Sequence, residues 1–206
     1  LMEITSPSKY EKLLARSDKG YNAFLYDCDG TLADNMKAHA LAYIKVAADR
    51  GVTINGDIID ELAGWPVPDV VKEINKRYGS NMDPQEFAEV RQKLYHDEYV
   101  AKITPVEHVV DHLKAHYGKV RIAVVSGGER EAVEKTLNVL GIAYLVETLV
   151  CAGETPHGKP YPDPFLAAAA KLGVEPKNCL VFEDGDPGVQ SAIAAGMDWV
   201  RIDKLD

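Results

Sequence analysis

Residues 121–128 read Arg-Ile-Ala-Val-Val-Ser-Gly-Gly, an unbroken apolar run (Ile122, Ala123, Val124, Val125) closed by a hydroxyl and two glycines. A strand with water on one face alternates apolar and polar residues. A continuous run bounded by turn residues reads instead as a strand covered on both faces. The same texture recurs from Pro105 onward: helical stretches over 106–116, 129–140, 163–172 and 188–195 alternate with short apolar runs over 121–125, 145–150, 179–182 and 199–202. That alternation is the pattern of a parallel sheet wrapped by helices. The expected fold class is therefore α/β, a doubly wound, Rossmann-like sheet. In such sheets ligands sit beyond the carboxyl ends of the strands, where the strand order reverses.

Working outward toward the N-terminus, residues 22–26 (Asn-Ala-Phe-Leu-Tyr) form another apolar run, preceded by a polar, helical lead-in over 8–16 and ending abruptly in Asp27-Cys28-Asp29-Gly30. Between this strand and Pro105 the texture changes. Helical spacings appear (Ala38, Leu41, Ala42, Ile44, Lys45; Val70, Val71, Ile74; Phe87, Val90, Leu94), broken at Gly51, at Gly64-Trp65-Pro66 and at Gly79. An all-helical insertion after the first strand follows, with a core of residues 1–34 and 104–206 and a helical domain over 35–103. Leu1 ahead of Met2 reads as the remnant of an expression tag and stays outside the fold reasoning.

With 206 residues, 46% hydrophobic and 27% charged, the chain has the balance of a soluble globular protein. Its net charge of -9 argues against a nucleic-acid partner, which calls for a basic face. An anionic substrate would need a local cation. No apolar run approaches a membrane span, and no signal-peptide core stands at the N-terminus, so a cytoplasmic location is expected. Cys28, Cys151 and Cys179 lie far apart with no C-x-x-C pair, and read as free thiols in a reducing compartment.

Four polar clusters each stand at an expected strand end or beside one. In the first, Asp27-Cys28-Asp29-Gly30-Thr31, a turn at Gly30 can bring two carboxylates to line one cavity. One can then attack phosphorus while the other moves protons; the plain alternative is a polar turn in which Asp29 or Thr31 caps a helix. Ser126-Gly127-Gly128 offers a hydroxyl and backbone N–H groups to an anion, or makes an ordinary helix start. In Gly158-Lys159-Pro160 a lysine sits in a stiff, proline-rich linker and could supply the missing cation. Glu183-Asp184-Gly185-Asp186 crowds acidic groups that a divalent cation would stabilise, and oxygen-only ligands point to Mg2+; for Asp186 a helix-dipole role is the alternative. Together they hold a nucleophile, an acid/base, a phosphate clamp, a neutralising lysine and a metal site, which is what phosphoryl transfer requires.

In their order, Asp27-x-Asp29-Gly-Thr31, Ser126, Lys159 and Glu183-Asp184, these motifs resemble the haloacid dehalogenase-like superfamily, and the match covers about residues 22–200. The helical insertion looks like the cap of its subfamily I. The resemblance implies Asp27 as nucleophile and metal ligand, Asp29 as acid/base with its backbone carbonyl on Mg2+, Thr31 near the acid/base, Ser126 and Gly127 at the phosphoryl group, Lys159 as the steadying cation, and Asp184 with Glu183 at the metal. Asp29 argues against the dehalogenase branch, which lacks a carboxylate there.

Within the subfamily the chain is similar to sugar-phosphate phosphatases and to their neighbours, the β-phosphoglucomutases. His39 stands where several of them carry a histidine, and joins the expected substrate-binding residues. Mutases carry an arginine about three residues after the glycine of the segment 62–67, where this chain has Val67. Hydrolysis is therefore favoured over mutase chemistry. Trp65 and Pro66 could wall a sugar ring, although a core role suits Trp65 equally. Arg130, just past Ser126, either reaches a phosphate or lies on a solvated helix face and is left outside the expected site. The expected partner is a small phosphorylated metabolite, with the protein acting as a monomer or weak homodimer.

Overall fold

The computed structural model of the chain describes residues 6–205, and the reading of Leu1 and Met2 lies outside them. The chain opens with α1 (Lys9–Ser17) and β1 (Ala23–Tyr26), and short β2 (Ala33–Asp34) leads into α2 (Met36–Asp49), α3 (Gly56–Glu61), α4 (Val67–Tyr78) and α5 (Pro84–Leu94). It returns through β3 (Thr104–Pro105) to α6 (Glu107–His116), β4 (Arg121–Val125), α7 (Arg130–Val139), β5 (Thr148–Val150), α8 (Asp163–Leu172), β6 (Cys179–Glu183), α9 (Asp186–Ala194) and β7 (Asp198–Arg201). Two compact units result, one built from the chain up to Ala33 and from Pro105 onward, the other from Asp34–Thr104. Among the described residues no helix is long and apolar enough to cross a membrane.

The first unit is the doubly wound α/β fold. Its five strands lie in the order β5-β4-β1-β6-β7, all neighbours parallel. Strand order therefore reverses between β1 and β6. Side chains alternate across the sheet, so each apolar run feeds two cores. Phe24, Tyr26, Ile122, Val124, Leu180 and Phe182 pack with Leu13 of α1, Val109 and Leu113 of α6 and Leu137 of α7. Ala23, Leu25, Ala123, Val125, Cys179 and Val181 pack with Phe165, Ala168 and Ala169 of α8 and Ala192 of α9.

Most element ends match the sequence pattern, and the departures have local causes. The strand expected over 145–150 begins at Thr148, because Ala143–Leu145 forms a 3-10 turn that drops Leu145 into the core. Helix α9 begins at Asp186 rather than 188, since Pro187 fits a first turn whose N–H groups have no helical acceptor. Ser8 caps α1 through a reciprocal pair of bonds with Glu11. All three cysteines are free and buried, and burial pushes their thiols up, as expected of inert groups.

The second unit is helical, with a core that includes Tyr43, Val46, Ile54, Ile58, Val70, Val71, Ile74 and Phe87. Its helices are bounded by the Asn55 and Asp83 caps and by Gly79 at φ 64°. Two apolar faces differ from the expected spacing. On α2 the buried residues are Ala40, Ala42, Tyr43, Val46 and Ala47, so Ala42 of the expected set is covered while Leu41 is exposed. On α5 Val90 is exposed and Arg91 buried, its guanidinium 4.8 Å from the centre of the Tyr43 ring. The aromatic face holds the cation that an aliphatic spacing count assigns to solvent. Trp65 is 48% exposed, which removes the core reading for it.

One buried polar chain staples the first core. Ser17 Oγ donates to the Leu13 carbonyl at 2.8 Å, so its oxygen accepts from His112 Nε2 at 2.8 Å, and His112 Nδ1 accepts from Tyr26 O–H at 2.8 Å. The bonds fix the His112 tautomer. Burial, with a smaller push from His116, lowers its pKa to about 3. A depressed histidine contributes stability that is complete above its unfolded pKa near 6.5 and is lost as pH falls toward 3. Melting temperature should thus fall from pH 7 to pH 4, and His112→Phe should melt lower at pH 8 but with a flatter profile over that range; parallel profiles would show that His112 does not drive the acid limb.

A second constraint lies where α9 starts. A Cβ on Gly188 would stand 1.9 Å from the carboxyl carbon of Glu183, which is itself 3% exposed. Gly188→Ala should therefore displace Glu183 and cost about 1–3 kcal/mol in denaturant unfolding.

Candidate active site

The sheet register brings the polar clusters together. Tyr26 lies between Val124 and Phe182, and the Asp27 N–H extends the ladder to the Phe182 carbonyl at 3.0 Å. One rung further, Asp27 is level with Val125 and Glu183. The chain then curls, because the Cys28 carbonyl accepts from the N–H groups of Thr31, Leu32 and Ala33, and Gly30 takes φ 82°. That left-handed turn is what glycine permits. The Asp29 carboxylate is carried to the Ser126 loop, with its Oδ2 3.7 Å from where a Cβ on Gly128 would stand.

Lys159 is the hub. Its ammonium donates to Asp27 Oδ1 at 2.9 Å, to the Val125 carbonyl at 2.9 Å and to Glu183 Oε1 at 2.6 Å. An ammonium has three N–H groups, and all are used. Burial would lower the lysine pKa, but the charges of Asp27 and Glu183 more than offset it and raise the value. Burial first, then the Asp27 charge, pushes Asp184 well above the usual carboxylate range. The same two causes raise Glu183, with Lys159 pulling it back.

Oxygens of Asp27, Glu183 and Asp184 lie within 4.8 Å of one another. Three carboxylates against one ammonium leave two negative charges uncompensated, the charge of one divalent cation. The set is all oxygen and half-buried to buried, so it suits a hard cation. The residues therefore fit a divalent metal. The Asp29 carboxylate is not part of this cluster.

Other expected residues fall in distinct places. Thr31, expected beside the acid/base and among the substrate-binding groups, is fully buried, and its hydroxyl lies 3.1 Å from both Asp27 Oδ2 and Asp184 Oδ1. From there it is placed to orient both carboxylates. Ser126, 5% exposed, accepts from the Gly128 N–H at 3.0 Å and keeps its own O–H as a donor. Gly127 is exposed on the same loop. His39 belongs to the helical unit, where it stacks on Tyr95 with ring centres 4.1 Å apart and lies 3.2 Å from Arg91 Nη1. Arg130 is taken up by Glu154 and Glu134 and by the Leu149 carbonyl, which removes the phosphate reading for it. Asp186 pairs with Arg201 and stands outside the metal cluster. Arg201 and Gly188 are not singled out by sequence spacing: Arg201 meets the Asp184 loop through the β6–β7 pairing, and Gly188 faces the Glu183 carboxylate at the turn into α9.

A family model described as haloacid dehalogenase-like hydrolase matches residues 21–196. The chain is 32% identical to the fructose-1-phosphate phosphatase YqaB of Escherichia coli, over 88% of this chain and 96% of that protein. It is 27% identical to the validoxylamine A 7'-phosphate phosphatase of Streptomyces hygroscopicus subsp. limoneus, over 88% and 85% respectively. CbbY from Rhodobacter sphaeroides, solved in complex with phosphate, shares the fold with a TM-score of 0.77 at 19% identity, covering 87% of this chain and 84% of that one. The motif order, the sheet that aligns it and the span of the family match agree, and the chain belongs to the haloacid dehalogenase-like hydrolases.

Proposed function

We propose that the protein is a Mg2+-dependent phosphatase that hydrolyses a small phosphorylated metabolite, a sugar phosphate, with Asp27 as nucleophile. The observation that carries this reading is the Asp27 carboxylate, held between Lys159 Nζ and Thr31 Oγ1 at the reversal of strand order, beside Glu183 and Asp184. The lysine ammonium, 2.9 Å from Asp27 Oδ1, pairs with that carboxylate and fixes its direction of attack. The sugar-phosphate class is supported by relatives that are phosphatases of fructose 1-phosphate and of validoxylamine A 7'-phosphate.

In the first step an Asp27 oxygen bonds to phosphorus as the ester P–O bond breaks, and Asp29 gives its proton to the leaving oxygen. In the second, Asp29 takes a proton from water, whose oxygen attacks phosphorus. The P–O bond to Asp27 breaks and inorganic phosphate leaves. Ser126 O–H and the Gly127 backbone donate to the phosphoryl oxygens in both steps. A divalent cation held by Asp27, Asp184 and Glu183, with the Asp29 carbonyl, would neutralise charge on the phosphoryl group. A mutase would also need a group for a second phosphate, and Val67 offers no charge for one.

Phosphate release from a panel containing fructose 1-phosphate, glucose 6-phosphate and β-glucose 1-phosphate should appear with Mg2+ and vanish with EDTA. Conversion of β-glucose 1-phosphate to glucose 6-phosphate without phosphate release would replace this reading by the mutase. Asp27→Asn should lower turnover on the order of a thousandfold or more while circular dichroism stays unchanged; retained activity would exclude Asp27 as nucleophile. Lys159→Met leaves buried carboxylates unpaired, so it should lose turnover and cost about 3–5 kcal/mol of stability in EDTA, with partial recovery in Mg2+. Equal melting temperatures of this variant with EDTA and with Mg2+ would contradict the charge balance described above.

A further inference from the structure

We propose that Arg201, braced by Asp203, is a positioning residue that fixes the loop carrying Asp184 and holds Asp186 out of the metal site, and so sets a preference for Mg2+ over Ca2+. The inference rests on the metal reading above.

The geometry is specific. Arg201 is the last residue of β7 and lies opposite Glu183, the last of β6. Its side chain is 15% exposed. Nε and Nη2 each donate at 2.8 Å to one oxygen of Asp203, a fork-to-fork pair that locks the guanidinium plane. So aimed, Nη2 also donates to the Asp184 main-chain carbonyl at 3.1 Å, and Nη1 donates to Asp186 Oδ1. One guanidinium thus holds the main chain of a candidate ligand, Asp184, and the side chain of the next acidic residue along the chain, Asp186.

This matters because four acidic side chains lie close in sequence or space and only three converge. Asp27, Glu183 and Asp184 face one another, whereas the Asp186 side chain is 79% exposed and turned to Arg201. Mg2+ takes a small rigid octahedral site with few carboxylates and several waters, whereas Ca2+ takes six to eight oxygens in a flexible one. Releasing Asp186 would add a mobile carboxylate and loosen Asp184 at once. Both changes favour Ca2+. Lysine cannot substitute, because a point charge lacks the fork that engages Asp203.

Calorimetric titration of the EDTA-stripped full chain with Mg2+ alone and with Ca2+ alone tests this without reference to turnover. Arg201→Gln should weaken Mg2+ binding about tenfold, the lower range for residues that orient metal ligands, and leave Ca2+ binding equal or tighter. Asp203→Asn, which keeps the guanidinium but breaks its brace, should shift the ratio the same way by less, and serves if Arg201→Gln does not fold. Adding Asp186→Asn to either variant should return Ca2+ affinity to that of the unsubstituted protein. A residue that only stabilised the fold would lower the melting temperature and leave the Mg2+ to Ca2+ ratio alone. Ratios within twofold of the unsubstituted protein in both Arg201→Gln and Asp203→Asn overturn the clamp; an unsubstituted protein that binds neither cation overturns the metal reading itself.

Discussion

A single ammonium organises the end of the sheet. Lys159 reaches from the loop before α8 to three parallel strands at once, through the Val125 carbonyl on β4, Asp27 after β1 and Glu183 on β6. Its burial is tolerable only because all three N–H groups are taken, and the carboxylates' burial is tolerable only because it is there. The arrangement is still short of positive charge, and burial together with the neighbouring Asp27 charge pushes the pKa of both Asp184 and Glu183 upward. A protein that keeps such a deficit at the reversal of strand order is arranged to receive cations and to use them.

What makes the hub possible is alignment rather than any one motif. Parallel pairing in register sets Asp27, Val125 and Glu183 on one rung, and the curl around the Cys28 carbonyl then separates the two aspartates of the first motif by task. One joins the lysine and the acidic group, and the other goes to the Ser126 loop. The glycines at 30 and 188 are needed for different reasons. The first supplies a left-handed turn, and the second clears space for a buried carboxylate.

The sequence pattern carried the architecture because strands buried on both faces read as unbroken apolar runs and helices as periodic ones. It carried Asp27, Lys159, Glu183 and Asp184 because each chemical group stands directly at, or shortly after, such a run. It did not carry what depends on partners distant in sequence. Val90 fits the aliphatic spacing of α5, yet it is exposed while its neighbour Arg91 is covered against Tyr43 of another helix. Spacing around Thr31 does not show that its hydroxyl stands between Asp27 and Asp184, the latter 153 residues away. Arg201 lies outside every motif, and sequence spacing offers Asp186 a metal or the dipole of its own helix but not the partner on β7 that it meets. The Ser17–His112–Tyr26 chain escaped notice because a histidine inside an amphipathic helix gives no sign of which elements it will tie together.

The two faces of the sheet also differ in grain. One is built from Phe24, Tyr26, Ile122, Leu180 and Phe182, the other largely from alanine, valine and cysteine against the alanines of α8 and α9. Side chains that small let a helix axis approach a sheet closely and leave nothing to trim, whereas the aromatic face has much to lose and room to settle. Tolerance to added volume therefore differs between the two faces. A methyl group added beneath α8 and α9 presses directly on the strands that present the Lys159 hub.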